Sequence, residues 1–217
     1  MLRLHDVSVS IGGAEILRDV SMEVGPNAFV ALVGRNGAGK TTLMRSVMNL
    51  LPVDGGTIEI AGRDTTRASP HTHAREGVGY MPEDRRLVPD WTVEENILLP
   101  VWAAHTDDGP ARLARIYGLI PEVEKVAGRR AMQLSGGQQK LVALARAFMA
   151  GTRLMILDEP FEGVAPALVQ RLVEILSTLR QEGDHSVLIS ESDAIYSTAL
   201  VDHIYAIERG RASAGTA

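Results

Sequence analysis

The sequence contains no cysteine, few aromatic residues, no long apolar run and no excess of positive charge. Without cysteine, a disulfide framework and cysteine-ligated zinc or iron–sulfur sites are excluded, and the redox compartment stays undecided. No apolar run approaches the roughly 18 residues that a membrane-spanning helix needs. The 22 Lys and Arg against 27 Asp and Glu give a formal net charge of −5, which argues against a nucleic-acid binder that relies on bulk positive charge.

The remaining composition indicates one globular unit. A chain of 217 residues corresponds to about one to one and a half domains and can bury a core without covalent cross-links. Its start lacks the apolar segment of a secretory signal, so we expect an intracellular protein. Two features fit a plain solvated enzyme poorly. The mean hydropathy is +0.03, and the two tryptophans, Trp91 and Trp102, lie within one short stretch.

Changes in apolar patterning along the chain predict an α/β fold. Residues 2–10 and 20–24 alternate apolar and polar side chains, as antiparallel strands with one buried face do. Three continuous apolar runs are typical of parallel strands that are covered on both faces. The runs lie at residues 28–33, 154–157 and 187–189. Helical patterning dominates residues 87–150, which we interpret as an insertion between two segments of a parallel sheet.

A glycine-rich loop follows the first of these apolar runs. Residues 34–41, GRNGAGKT, fit the pattern G-x-x-x-x-G-K-[ST], and a helical pattern follows them. In such a loop, backbone N–H groups and the positive helix end bind phosphates, Lys40 reaches the β- and γ-phosphates as a catalytic group, and Thr41 places its hydroxyl on Mg²⁺. An ordinary glycine turn is the alternative, but the strand before and the helix after favour a nucleotide site. The expected nucleotide-binding residues are Gly34, Arg35, Asn36, Gly37, Ala38, Gly39, Lys40, Thr41 and Thr42.

An acidic pair ends the second apolar run. Asp158 and Glu159 follow LMIL at the carboxyl end of a predicted parallel strand, the edge that also carries the glycine-rich loop. We expect Asp158 to hold Mg²⁺ through water and Glu159 to activate the attacking water. Two solvated carboxylates at a strand end are the alternative, and the loop at the same edge argues against it.

A second glycine motif precedes a long helical run. Ser135, Gly136, Gly137 and Gln138 have the form of a capping box and place two glycines at a positive helix end, where a phosphate can bind. One nucleotide does not need two such sites in one chain. We therefore expect this second site to contact a nucleotide that another subunit holds.

These motifs together resemble one protein family. GRNGAGKT, LSGGQ and LMILDEP occur in the order found in the ATP-binding cassette (ABC) ATPases, and the resemblance covers essentially the whole chain. It implies a P-loop NTPase core with a parallel sheet, an N-terminal antiparallel β subdomain and an inserted helical subdomain, in a single ATP-binding domain over residues 1–217. It also implies a head-to-tail dimer, with each ATP between the phosphate loop of one subunit and Ser135–Gln138 of the other.

A further stretch narrows the resemblance. Residues 80–89, YMPEDRRLVP, followed by TVEEN at 92–96, look like the ATP-binding subunits of branched-chain amino acid importers. This implies a peripheral protein on the cytoplasmic face of the membrane. Its partners would be permease subunits, a second cassette subunit and a solute-binding protein, with no nucleic acid. In this family the helical block docks on the permease, so we expect Trp91 or Trp102 to line the docking groove; packing inside the helical core is the alternative.

Four positions depart from the wider family pattern. Glu83 stands where most cassettes have a glutamine; its carboxylate can bind Mg²⁺ but cannot donate a hydrogen bond. Ser192 stands at the position of a switch histidine and cannot carry its positive charge. Ile11 replaces an adenine-stacking aromatic residue, and Phe161 replaces a small residue at the subunit contact. Because these changes suggest a lower intrinsic activity, our hypothesis is a heterodimer with a different cassette.

Two other classes of function compete with a transport ATPase. A nucleotide-dependent clamp or regulator would bind ATP and dimerise but scarcely hydrolyse it; Ser192 and Ile11 keep that hypothesis open, and Glu159 opposes it. The soluble cassette proteins of DNA repair or translation typically carry two cassettes or a long coiled-coil insertion, and neither is visible. The transported molecule stays open among branched-chain amino acids, other amino acids, urea and amides.

The histidines are not expected to form a site. His71 and His73 are too sparse for a metal site and are expected in a solvated loop. His185 and His203 are expected at the surface.

Overall fold

The computed structural model describes residues 1–215, and its strands form two sheets. The strands are β1 (Leu2–Ile11), β2 (Ala14–Val24), β3 (Phe29–Val33), β4 (Gly55–Ile60), β5 (Arg63–Asp64), β6 (Val78–Met81), β7 (Leu154–Asp158), β8 (Ser186–Glu191), β9 (His203–Glu208) and β10 (Arg211–Ala214). The first sheet is antiparallel, in the order β2-β1-β4-β5. The second has the order β10-β9-β3-β8-β7-β6 and is parallel except for β10. The predicted α/β fold is confirmed.

Most helices lie between β6 and β7, as the helical patterning predicts. The helices are α1 (Lys40–Val47), α2 (Thr72–Arg75), α3 (Val93–Ala104), α4 (Gly109–Leu119), α5 (Pro121–Glu124), a 3₁₀ turn (Ala131–Gln133), α6 (Gly136–Ala150) and α7 (Pro166–Glu182). Thr92 and Ser135 form the expected capping boxes at the starts of α3 and α6. Within residues 1–215, no helix is long and apolar enough to cross a membrane.

The central strands of the parallel sheet are buried on both faces. Val187 and Ile189 pack into one apolar cluster with α6 and α7, while Leu188 packs into a second cluster with the antiparallel sheet and α1. Because both faces of these strands are buried, successive residues are apolar, and the strands have continuous apolar runs in the sequence. Because the strands are parallel, the carboxyl ends of β3, β7 and β8 meet at one edge, where the site lies.

Two histidines lie deeper than their polarity suggests. His73 sits on α2, fully buried, with its Nε2 2.6 Å from Asn49 Oδ1. His185 immediately precedes the buried strand β8 and is 6% exposed. The expectations of a solvated loop around His73 and a surface position for His185 are therefore wrong; burial lowers the pKa of both rings. His203 is exposed, as expected.

Candidate functional site

The glycine-rich loop joins β3 to α1 in a conformation that requires glycine. A Cβ added to Gly34 would lie 2.3 Å from the carbonyl oxygen of Ile207, and Gly39, the N-cap of α1, has a φ of +113°. The first N–H groups of α1 lack partners within the helix and lead into a cavity of about 530 Å³. The cavity is lined by Ile11, Ile16, Asn36, Gly37, Gly39, Lys40, Thr41, Thr42, Glu83, Glu159 and Glu162.

Lys40 crosses this cavity from the loop to the acidic strand end. Its side chain is almost fully buried, and its Nζ lies 3.0 Å from Oε1 of Glu159. The same Nζ donates to the carbonyl oxygens of Gly34 and, at 3.2 Å, of Arg35. The ammonium group therefore sits where an anionic group at the helix end would meet it.

Asp158 is the last residue of β7, and its carboxylate accepts three hydrogen bonds. Its Oδ1 accepts from Ser190 Oγ at 2.7 Å and from Thr41 Oγ1 at 3.3 Å, and its Oδ2 accepts from Tyr80 at 3.4 Å. Burial raises the pKa of Asp158, and the hydrogen bonds oppose that shift. A carboxylate beside a hydroxyl oxygen at the phosphate-binding helix end suits Mg²⁺, which takes few protein ligands and completes its shell with water and phosphate.

Glu159 is held in an uncommon backbone conformation. Its φ is +49°, a left-handed value for a residue other than glycine. Its backbone N–H donates to Ser190 Oγ at 3.0 Å, so one buried serine contacts both Asp158 and Glu159. Such conformations persist where the surroundings impose them and cluster at functional sites.

Of the residues that depart from the family pattern, Ile11 and Glu83 line this cavity, and Ser192 contacts two residues that line it. Glu83 lies at the edge of the cavity, where partial burial of the carboxyl group and then the charges of Asp158, Glu162 and Glu159 raise the pKa of Glu83. Ser192 lies within reach of the site, with its Oγ 2.9 Å from Asn36 Oδ1 and 3.4 Å from Glu159 Oε1. Phe161 is buried against Tyr196, with ring centroids 5.6 Å apart.

The second glycine motif does not line this cavity. Ser135 and Gly136 are exposed at the start of α6. Ser135 Oγ accepts from Gln138 N at 3.3 Å, and Gln138 Oε1 accepts from Ser135 N at 3.0 Å. Among residues 1–215, those that line the 530 Å³ cavity do not include Ser135–Gln138. The two glycine motifs therefore lie at the starts of two different helices and do not share one cavity within the part of the chain that the structure describes.

Two site residues are not predicted from the sequence. Ser190 contacts both acidic residues, but a serine inside an apolar strand carries no motif. Lys140 is 2% exposed, and its Nζ donates to the carbonyl oxygens of Glu159 and Glu162 at 2.9 and 2.6 Å; burial lowers its pKa to about 8. A signal for Lys140 does exist, since it is a cation at the start of the long apolar part of α6.

The two tryptophans form an exposed aromatic pair. Trp91 and Trp102 are 37% and 46% exposed, with ring centroids 6.0 Å apart and an edge-to-face angle of 62°. Packing inside the helical core is therefore wrong for both. A second cavity of about 610 Å³ lies beside α3 and includes Tyr80, Glu83, Leu99 and Arg146.

Comparison with known proteins agrees with this geometry. The family model described as ABC transporter matches residues 17–162. The chain is 35% identical to the high-affinity branched-chain amino acid transport ATP-binding protein BraG of Pseudomonas aeruginosa, over 97% of this chain and 90% of that protein. It is 33% identical to the lipopolysaccharide export system ATP-binding protein LptB of Haemophilus influenzae, over 97% and 88%.

A solved structure shares the fold along the full chain. The ATP-binding subunit of an ABC transporter superposes with a TM-score of 0.87 at 27% identity, covering 100% of this chain and 90% of that one. The fold of the whole chain is therefore similar to the fold of that subunit.

Proposed function

Because the chain belongs to the ABC transporter family, as an ATP-binding and ATP-hydrolysing subunit, we propose that it powers the uptake of a branched-chain amino acid or a related small polar solute. The single observation that carries the ATP-hydrolysing role in this proposal is the ion pair of Lys40 and Glu159, 3.0 Å apart, in the cavity at the start of α1. The similarity to BraG supports the solute class. The similarity to LptB, which is named for lipopolysaccharide export, supports the role in transport and not one particular cargo.

The phosphate loop binds the triphosphate in this proposal. Backbone N–H groups of residues 34–42 contact the phosphates, and Lys40 neutralises the β- and γ-phosphates. Thr41 and Asp158 would hold Mg²⁺, with Glu83 at the edge as a third oxygen donor, and the ion would neutralise charge that develops on the γ-phosphate.

Glu159 is the proposed general base. Its carboxylate takes a proton from the water that attacks the γ-phosphate, and its strained backbone, held by Ser190, fixes its position. Ser192 contacts Glu159 in place of a histidine. A serine can orient that carboxylate but supplies no positive charge to the reaction.

A second cassette completes each site. The exposed Ser135–Gln138 helix end of one subunit binds the nucleotide held by the phosphate loop of the other. The partner subunit is either a second copy of this chain or a different cassette. Ser192 and Ile11, which depart from the family pattern, favour a different cassette. The dimer binds permease subunits at the cytoplasmic face of the membrane and works with a solute-binding protein.

The exposed tryptophan pair is the proposed permease contact. Trp91 and Trp102 offer an exposed aromatic surface on the helical block, and tryptophan is enriched at protein interfaces. Trp91→Ala should weaken assembly with the permease while ATP binding stays unchanged. Pull-down of the permease and nucleotide titration of the same variant test this, and equal loss of both would contradict it.

Glu159→Gln separates a transport ATPase from a clamp that scarcely hydrolyses ATP. For an ATPase with Glu159 as base, phosphate release should fall by about 10²- to 10⁴-fold while ATP still binds. The exposed Glu208→Gln serves as the matched control. An unchanged rate in Glu159→Gln would favour the clamp. Brisk hydrolysis by the purified chain alone as a homodimer would contradict the heterodimer.

A further inference from the structure

Lys140 is a buried cation that the proposed reaction does not use. It lies in the second turn of α6 and is 2% exposed. Its Nζ donates to two backbone carbonyl oxygens, of Glu159 at 2.9 Å and of Glu162 at 2.6 Å. Burying an ammonium group costs free energy unless hydrogen bonds compensate it. The two carbonyl oxygens provide this compensation, so the backbone segment that contains them explains the position of Lys140.

The two carbonyl oxygens belong to the turn that carries the proposed base. Glu162 N also donates to the Glu159 carbonyl at 3.2 Å, so Lys140 binds both ends of one closed turn. Glu159, at the start of this turn, has the left-handed φ of +49°. A shift of the turn would move the Glu159 carboxylate relative to Lys40 and Asp158. Lys140 thus holds the carbonyl groups of a strained backbone segment, while Ser190 accepts from the N–H of Glu159.

The helix that presents Lys140 also begins at the second glycine motif. Ser135 caps α6, and Lys140 follows one turn later on the same rigid element. The start of this helix, at Ser135 and Gly136, is exposed, and its second turn contacts the Glu159 carbonyl through Lys140. A displacement at the exposed end of a short rigid helix is carried to its second turn.

We propose that Lys140 is a positioning residue that couples the two nucleotide sites of the dimer. This rests on the proposed function, in which Ser135–Gln138 bind the partner's nucleotide and Glu159 acts in the chain's own site. Engagement of the partner's nucleotide orients α6, and the Lys140 ammonium transmits that orientation to the Glu159 carbonyl. Hydrolysis in one site then depends on occupancy of the other.

Lys140→Met tests this coupling, because methionine keeps an unbranched side chain and removes all three donors. The assay uses the full chain assembled with its native partner subunits and measures kcat, the KM for ATP and the Hill coefficient. We expect kcat to fall roughly 10- to 100-fold, because a misplaced catalytic group costs about that much. The KM for ATP should stay within about twofold, and the Hill coefficient should fall towards 1. The exposed Lys125→Met is the matched control and should resemble the wild type.

Lys140→Arg separates coupling from packing, because it restores cationic donors to the two carbonyls and should recover most of the kcat and the cooperativity. An unchanged kcat and Hill coefficient in Lys140→Met would overturn the proposal. Equal loss in Lys140→Arg and Lys140→Met would overturn it as well. If Lys140→Met does not fold, Lys140→Gln replaces it, since its amide ends short of the two carbonyls and should give the same loss. The proposed function is tested separately, by comparing hydrolysis in the wild type and in Glu159→Gln. A wild type that does not hydrolyse ATP would contradict the proposed function and not the role of Lys140.

Discussion

The two glycine motifs of this chain differ in how much of a site each one completes. Around the phosphate loop, Lys40, Asp158 and Glu159 are buried, and each has charged or polar partners in the same chain. At the second motif, Ser135 and Gly136 are exposed, and the Ser135 side chain caps its own helix. Folding alone therefore organises the first region. In the proposed dimer, the second region is a half-site whose counterpart lies on another subunit.

The largest effect is expected from a substitution in the phosphate-loop region. Lys40→Met removes the cation that meets both the phosphates and Glu159, so hydrolysis should fall by at least about 1000-fold. It also leaves Glu159 buried without its ion pair, which should cost about 3 kcal/mol of unfolding free energy. Phosphate release and chemical denaturation measure the two effects. Lys125→Met, on the surface, should show neither, and a stable, active Lys40→Met would contradict the placement of the site.

The next effect concerns the half-site. Gly136→Asp places a carboxylate at an exposed phosphate-binding helix end, so hydrolysis by the assembled dimer should fall about 100-fold. ATP binding to the single chain should stay within about twofold, because the phosphate loop is untouched. Rate assays and nucleotide titration measure both. The control Gly128→Asp lies in an exposed loop, where a side chain meets no neighbour.

Mixing the two damaged variants sharpens the comparison further. Where the chain pairs with itself, a dimer of Lys40→Met and Gly136→Asp chains contains one intact phosphate loop opposite one intact Ser135–Gln138. Hydrolysis by the mixture should therefore exceed that of either variant alone, but it should stay well below that of the wild type, because the intact site faces an empty second site and lacks the coupling through Lys140. Loss of ATP binding in Gly136→Asp, with no recovery on mixing, would place both motifs in a single site within one chain.

The two regions also differ in what the sequence could predict. The residues of the phosphate loop follow one another directly, so their spacing alone fixes strand, turn and helix. The partners of Asp158 lie far away in the chain, as Ser190 and Tyr80 do. A hydroxyl inside a strand gives no pattern, so these contacts needed the structure. The burial of His185 was mispredicted because residue polarity does not show that an imidazole can be enclosed beside a core strand.

A smaller effect, in the direction of gain, is expected at Ser192. Histidine at this position could place positive charge near the γ-phosphate while keeping contact with Glu159. Ser192→His should therefore raise the hydrolysis rate about tenfold. The control Ser192→Ala removes the contacts to Asn36 and Glu159 without adding a cation, and should not raise it. Equal rates for the two variants would show that the missing histidine does not limit this chain.

The phosphate-loop region also contains a buried carboxylate, Glu191, whose charged form opposes folding. Glu191 ends β8 beside the phosphate loop, is 3% exposed and accepts from Ser197 Oγ at 3.1 Å. Burial raises its pKa from 4.5 to about 7. Between these values the folded chain keeps a proton that the unfolded chain has lost, so the contribution of Glu191 to the unfolding free energy falls as pH rises through this window and levels off above it.

Glu191→Gln should therefore stabilise the protein at alkaline pH, by about 2 kcal/mol at pH 8 after allowance for solvent screening, and much less at pH 5. Denaturant unfolding at the two pH values measures this, with the exposed Glu208→Gln as the control. At the half-site, Ser135→Ala should cost about 1 kcal/mol through the lost helix cap, equally at both pH values, because serine does not titrate. An equal gain from Glu191→Gln at both pH values would mean that side-chain shape, and not buried charge, sets the stability of the phosphate-loop region.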